Sequence, residues 1–121
     1  MDDFHTSQPI FVQIRQRLIE MILRGSVKEG DPLPSVRQIA AELSVNPLTV
    51  TKAFEALVDI GVVEKRRGLG MFVTTGARET LLANERDKFL KEDWPRIIAQ
   101  IRALELDPNS LLAPLASEPK P

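Results

Sequence analysis

Apolar residues in this chain keep one spacing, change to another, and then return to the first. From Pro9 to Leu57 they recur at helical intervals, from Val62 to Thr74 they alternate, and beyond Ala77 the helical interval comes back more sparsely. The opening stretch predicts a helix from Pro9 to Leu23, with Phe11, Ile14, Leu18 and Ile22 on its inner stripe and Gly25 as its stop. Arg15, Arg17, Glu20 and Arg24 then make a charged outer surface. The segment S-V-K-E-G-D-P-L-P that follows is dense in turn formers. Gly30-Asp31-Pro32 and Pro34 predict an ordered loop, with Leu33 turned into the core.

Two short helices come next, each with its own start signal. Ser35 and Gln38 form a capping box, in which the serine side chain accepts an orphan amide of the first turn and the glutamine reaches back. Val36, Ile39, Ala40 and Leu43 share one face of that helix. Asn46 is the N-cap of the second, and Pro47 takes its first position, where a missing N–H costs nothing. Val50, Ala53, Phe54 and Leu57 are its inner stripe. Helices this short, joined by Leu43-Ser44-Val45-Asn46, match the helix-turn-helix unit that sets its second helix into the DNA major groove. Opposite the stripe lie Leu48, Thr51, Lys52, Glu55 and Asp59, with Thr49 at the edge. Hydroxyls and the cation come first and carboxylates later, which suits a helix entering DNA by its positive N-terminal end. The plain alternative is a solvated face of mixed charge.

Alternation then predicts a hairpin. Gly61 ends the second short helix, Val62 to Arg67 reads as one strand, and Met71 to Thr74 reads as its partner across Gly68-Leu69-Gly70. A hairpin directly after a helix-turn-helix is a wing. Its cations Lys65, Arg66 and Arg67 are placed to reach phosphates or the minor groove, although such residues also protect edge strands from aggregation. Gly68-x-Gly70 is no nucleotide loop, because a strand follows where a helix N-terminus is required.

From Ala77 to Glu92 the chain is charged and helical, with Leu81, Leu82 and Phe89 as its apolar positions. Asp93 is expected to cap a further helix with Trp94 and Pro95 in its first turn and Ile97, Ile98, Ile101 and Leu104 on one stripe. Asp107-Pro108 marks a third start, before Leu111, Leu112 and Leu115 and a fraying end. These helices lack partners within their own segment, so they are expected to pack on the winged domain or on a second copy. Glu92 with Asp93 resembles a catalytic carboxylate pair only superficially, because a helix cap explains Asp93 better.

Composition narrows the function. With 121 residues and 43% apolar content, the chain buries one modest core, and the organisation expected is a winged domain over 8–75, a helical dimerisation segment over 76–116 and a frayed tail over 117–121. No apolar run is long enough to span a bilayer, and the leader M-D-D-F-H is acidic, unlike a signal peptide, so a cytoplasmic protein with no membrane partner is expected. Cysteine is absent and His5 is the single histidine, which excludes a thiolate or imidazole metal cluster and leaves no nucleophile pair. We therefore expect no enzyme, no metal and no cofactor. A net charge of −1 argues against a protein that coats nucleic acid indiscriminately, so DNA binding must rest on a local patch.

Several motifs in order carry a family resemblance over residues 8–75. They are Pro9-Ile10-Phe11-Val12-Gln13-Ile14, Gly30 to Arg37, Leu43-Ser44-Val45-Asn46-Pro47, Thr49-Val50-x-Lys52-Ala53-Phe54-x-x-Leu57 and Arg66-Arg67-Gly68-x-Gly70-Met71-Phe72-Val73. With them the chain resembles the GntR-type bacterial transcription regulators. The short helical tail is similar to that of the YtrA subfamily, in place of the longer effector-binding or aminotransferase-like domain of most relatives. The resemblance implies that Arg37, the residues from Asn46 to Lys52 and the wing tip at Gly68 contact DNA, and that the tail dimerises. The chain departs from the pattern at Pro47 and Thr51, where many relatives have arginine or another polar residue and a basic residue, so the base-reading code does not transfer.

The fold expected is mainly α with a small β-hairpin, a winged helix-turn-helix followed by a short helical dimerisation segment. Candidate DNA contacts are Ser35, Arg37, Asn46, Thr49, Thr51, Lys52, Lys65, Arg66, Arg67 and Gly68, and candidate dimerisation residues are Leu82, Phe89, Trp94, Ile97, Ile98 and Ile101. The partners expected are double-stranded operator DNA and a second copy, in a homodimeric repressor of a pseudo-palindromic operator, with a transporter operon as target by resemblance. Two rivals stand beside this: an architectural DNA-binding protein, which the near-neutral charge opposes, and a protein-interaction module whose basic wing meets an acidic partner. The tail is too small to promise an internal pocket of ordinary ligand size, ~300 Å³ or more, so an effector is expected to act through the dimer interface near Trp94 by changing the angle between two winged domains.

Overall fold

The computed structural model describes residues 8–117. His5 and the acidic leader, and residues 118–121 of the tail, lie outside them. The chain divides into two compact units, one ending at Ala83 and the other beginning at Asn84.

In the first unit α1 spans Ile10–Arg24, α2 Val36–Leu43 and α3 Pro47–Asp59, and strands β1 Val63–Arg66 and β2 Gly70–Val73 form an antiparallel hairpin. Each boundary has a local cause. α1 stops in a Schellman turn: Gly25 takes a left-handed φ of 82°, its N–H donates to the Ile22 carbonyl, and the Ser26 N–H donates to that of Met21. α2 begins where Ser35 Oγ accepts the Gln38 N–H at 3.0 Å. It ends at Ser44, a non-glycine residue at φ 55°, and the Val45 N–H closes on the Ala40 carbonyl at 3.1 Å. α3 starts with Asn46 Oδ1 accepting the Leu48 N–H at 2.8 Å and Pro47 in the first turn, as its sequence predicts.

The core forms around α3, which packs on α1, α2 and β1. Its stripe of Val50, Ala53, Phe54 and Leu57 is wholly inaccessible, at 0% exposure. Ile14, Leu18 and Ile22 face it from α1, Ile39 and Ala40 from α2, and Leu33 from the loop between them. Ile19 is buried as well, outside the expected stripe, while Phe11 is half-buried. Ala77 and Leu81 complete this core from the start of α4, which spans Ala77–Lys88.

The wing differs from its sequence reading at both ends. Val62 precedes the strand, because its N–H still bonds the Leu57 carbonyl at the end of α3. Arg67 belongs to the tip, and Gly70 pairs opposite Arg66 in β2, so the register is Val63 with Val73, Glu64 with Phe72 and Lys65 with Met71. The outer edge of β2 is also covered. Val73 and Met71 carbonyls accept the Gly30 and Leu33 N–H groups at 2.8 Å each, and the Val73 N–H donates to Asp31 at 3.0 Å. Pro32, which has no N–H, sits in that edge opposite Phe72. The loop before α2 thus behaves as a third, short strand of the wing and ties α2 to it.

In the second unit the helix continues where a break is expected. α4 passes into a π-helical turn, Phe89–Asp93, and then into α5, Trp94–Ala103. Asp93 has helical dihedrals and makes no cap; its carboxylate accepts from Arg96 at 3.1 Å. Pro95 supplies the reason, since a proline inside a helix removes one ladder bond and a wider turn ahead of it absorbs the loss. The chain turns at Glu105, at φ 54°. Asp107 then starts α6, Pro108–Ser117, accepting from the Asn109 N–H and the Ser110 hydroxyl. Among the described residues no helix is long and apolar enough to cross a membrane.

Candidate nucleic-acid interface

The features that could meet DNA are built on the sealed side of the first unit's core. Because α3 commits one face entirely to burial, its opposite face is rigidly presented. Leu48 there is 76% exposed, Lys52, Glu55 and Asp59 are exposed, and Thr49 and Thr51 are half-buried. Asn46 is exposed, with its side-chain oxygen engaged in the cap. Lys52 does not extend freely. Its ammonium lies 4.3 Å from the centre of the Phe11 ring on α1, a cation–π contact that holds the charge at a defined place. Half-buried Phe11 thereby serves the charged surface, a role its place on the helical stripe did not announce.

At the head of α2, Ser35 and Arg37 are both exposed. Ser35 Oγ is occupied by the cap, which leaves Arg37 as the group with charge to offer. The helix N-terminus behind it adds a positive dipole end to the same place.

On the wing the three adjacent cations part company. Strand alternation puts Glu64 and Arg66 on one face with Phe72, and the guanidinium is engaged there. Arg66 Nε donates to Glu64 Oε2 at 2.8 Å, and the guanidinium carbon stands 4.1 Å above the Phe72 ring. Lys65 takes the other face, the one shared with Val63 and Met71, and is exposed beyond the reach of the core. Arg67 is exposed in the tip beside Gly68, whose φ of 76° admits the tight turn that lets backbone approach a surface. The run read as one basic cluster therefore holds two outward cations and one braced to its own hairpin. Only the pleat and the position of Phe72 across the strand reveal the difference. The base of the wing is locked to the end of α3 by Thr74, whose hydroxyl donates to the Gly61 carbonyl at 2.7 Å.

Residues 11–73 match the model of the bacterial regulatory proteins of the gntR family. The chain belongs to the GntR family. It is 37% identical to the HTH-type transcriptional repressor YtrA of Bacillus subtilis over 107 residues, a match covering 87% of this chain and 82% of that protein. A GntR family transcriptional regulator from Listeria monocytogenes superposes with a TM-score of 0.73 at 30% identity, over 96% of this chain and all of that one. YtrA from Sulfolobus acidocaldarius, a GntR-family transcription factor, gives a TM-score of 0.57 at 31% identity over 86% of this chain and 94% of that one. This GntR chain is accordingly a YtrA-like winged helix-turn-helix, and its class of activity is DNA-binding transcription regulation.

The candidate dimerisation residues fall in different settings. Leu82 is half-buried in α4, before the boundary between units. In the second unit Phe89 is 43% exposed and stacks on Trp94, ring centres 6.2 Å apart. Trp94, Ile97, Ile98 and Ile101 are half-buried along α5. With Leu104, Leu106, Leu111 and Leu112, the residues Trp94, Ile97 and Ile101 line an open apolar groove of 360 Å³ within this unit. It is an open groove and not the internal pocket weighed above.

Proposed function

We propose that this GntR chain is a homodimeric, sequence-specific repressor that occupies a pseudo-palindromic operator, with Arg37, the α3 turns from Asn46 to Lys52, and the wing cations Lys65 and Arg67 meeting DNA. One observation carries the DNA half of the reading: α3 buries its inner stripe completely while its capped first turns stand exposed, which is the construction a groove-entering helix requires. For the dimer, the support is that no described residue of the second unit is buried, although α5 and α6 carry apolar stripes. A second copy laid in the Trp94 groove would cover them. One winged domain reads only a few base pairs, so two half-sites about one helical turn apart, roughly 34–36 Å, supply the specificity. A transporter operon as target rests on the YtrA likeness alone.

Fluorescence anisotropy with the DNA upstream of the chain's own gene, beside a scrambled duplex and at two salt concentrations, tests this directly. A regulator of this kind keeps its preference for the native duplex as salt rises, whereas an architectural binder loses affinity for both together. Binding to neither duplex, with an acidic protein retained instead, would overturn the reading.

A further inference from the structure

In the first unit two large apolar side chains stand far more exposed than the rest, Leu48 at 76% and Leu69 at 71%; the next, Ile60, is 46% exposed. Both belong to the elements that the proposed function turns toward DNA. Leu48 is the sharper case because its surroundings restrict what it can do. The leading turn of α3 is Asn46-Pro47-Leu48-Thr49. Asn46 Oδ1 is committed to the Leu48 N–H, Pro47 has no donor, and Thr49 is half-buried. The bidentate amide or guanidinium contacts that recognise adenine or guanine are therefore not available from this turn. Helical side chains lean toward the N-terminus, so Leu48 projects ahead of the end that enters the groove. What the major groove offers an apolar side chain is the 5-methyl group of thymine.

We propose that Leu48 is a specificity-determining residue that reads thymine through its 5-methyl group. The inference rests on the DNA-binding reading above, and the experiment separates the two. Duplexes are selected from a random library with the full chain, and each thymine of the selected duplex is replaced in turn by deoxyuridine, which removes the methyl and keeps the pairing. Wild-type binding should fall about fourfold at one position in each half-site, the value of one buried methyl-sized group. In Leu48→Ala the same replacement should make no difference, and Leu48→Met, which keeps an apolar reach, should restore sensitivity. Because Leu48 is exposed, both variants should fold, which circular dichroism verifies. An enriched duplex with no uracil-sensitive position, or sensitivity undiminished in Leu48→Ala, overturns the assignment while leaving the regulator standing. A library with no enriched duplex overturns the DNA-binding reading and the Leu48 contact together.

Discussion

The helices before Ala83 and those after it carry apolar stripes of the same spacing and bury them to opposite extents. On α3, Val50, Ala53, Phe54 and Leu57 are inaccessible, and every buried apolar residue described lies at or before Leu81. On α5 Ile97, Ile98 and Ile101 stay half-buried, Leu104 just past its end is 67% exposed, and Leu115 on α6 is 73% exposed. Periodicity thus tells which face of a helix is inner, and says nothing about what covers it. The first unit gathers three helices and a hairpin around one helix and closes its own core. The second leaves its stripes open to solvent among the described residues, which is the exposure that the proposed dimer would cover.

The comparison breaks most decisively in the core of the first unit. Phe54→Ala should cost about 3–5 kcal/mol, a large share of the ~5–15 kcal/mol that holds a small domain folded, as read by the shifted midpoint of chemical denaturation. No substitution at an apolar position of α6 should approach that loss in the stability of the winged unit. Next comes the interface: Ile101→Asp should leave the circular dichroism of the winged unit intact, reduce the mass in light scattering to that of one chain, and weaken operator binding by about 100-fold or more, since the two half-sites are no longer linked. A mass unchanged by Ile101→Asp would remove α5 from the dimer. Arg37→Ala should lower operator affinity by about 1.5–3 kcal/mol, with the dimer and the melting temperature unaltered. Equal affinity in that variant would take Arg37 out of the interface. The smallest effect lies at the half-buried ring beneath the charged surface of α3. Phe11→Leu keeps an apolar side chain and removes the ring under Lys52, so it should cost about 0.5–1 kcal/mol, and the loss should vanish when Lys52 is already methionine, as a double-mutant cycle by thermal denaturation would show.

Much of this molecule was legible because its signals are local. Ser35, Asn46 and Asp107 each take an amide two or three residues away, and Gly25 closes a turn on its own helix, so residue type and spacing are sufficient to place those boundaries. The four-residue stripe of α3 was equally plain, since a helix central to the fold must be apolar along one face. The wing was legible as a hairpin and misread at its edges, because the residue at which pairing starts depends on what the neighbouring helix still claims, as Val62 does for Leu57.

What tertiary structure alone decided are relations between distant residues. The segment from Gly30 to Leu33 reads as a loop and pairs as a strand, since its partner, β2, lies some forty residues on. Lys65, Arg66 and Arg67 are one run in sequence and three environments in space, divided by the pleat and by Phe72 across the strand. The amino-acid sequence by itself determined where α2, α3 and α6 start, through bonds that close within a turn, and which face of α3 is inner, through the spacing of its stripe. Burial, strand pairing and the direction of each charge came only from contacts between segments far apart along the chain, whose geometry no local pattern encodes.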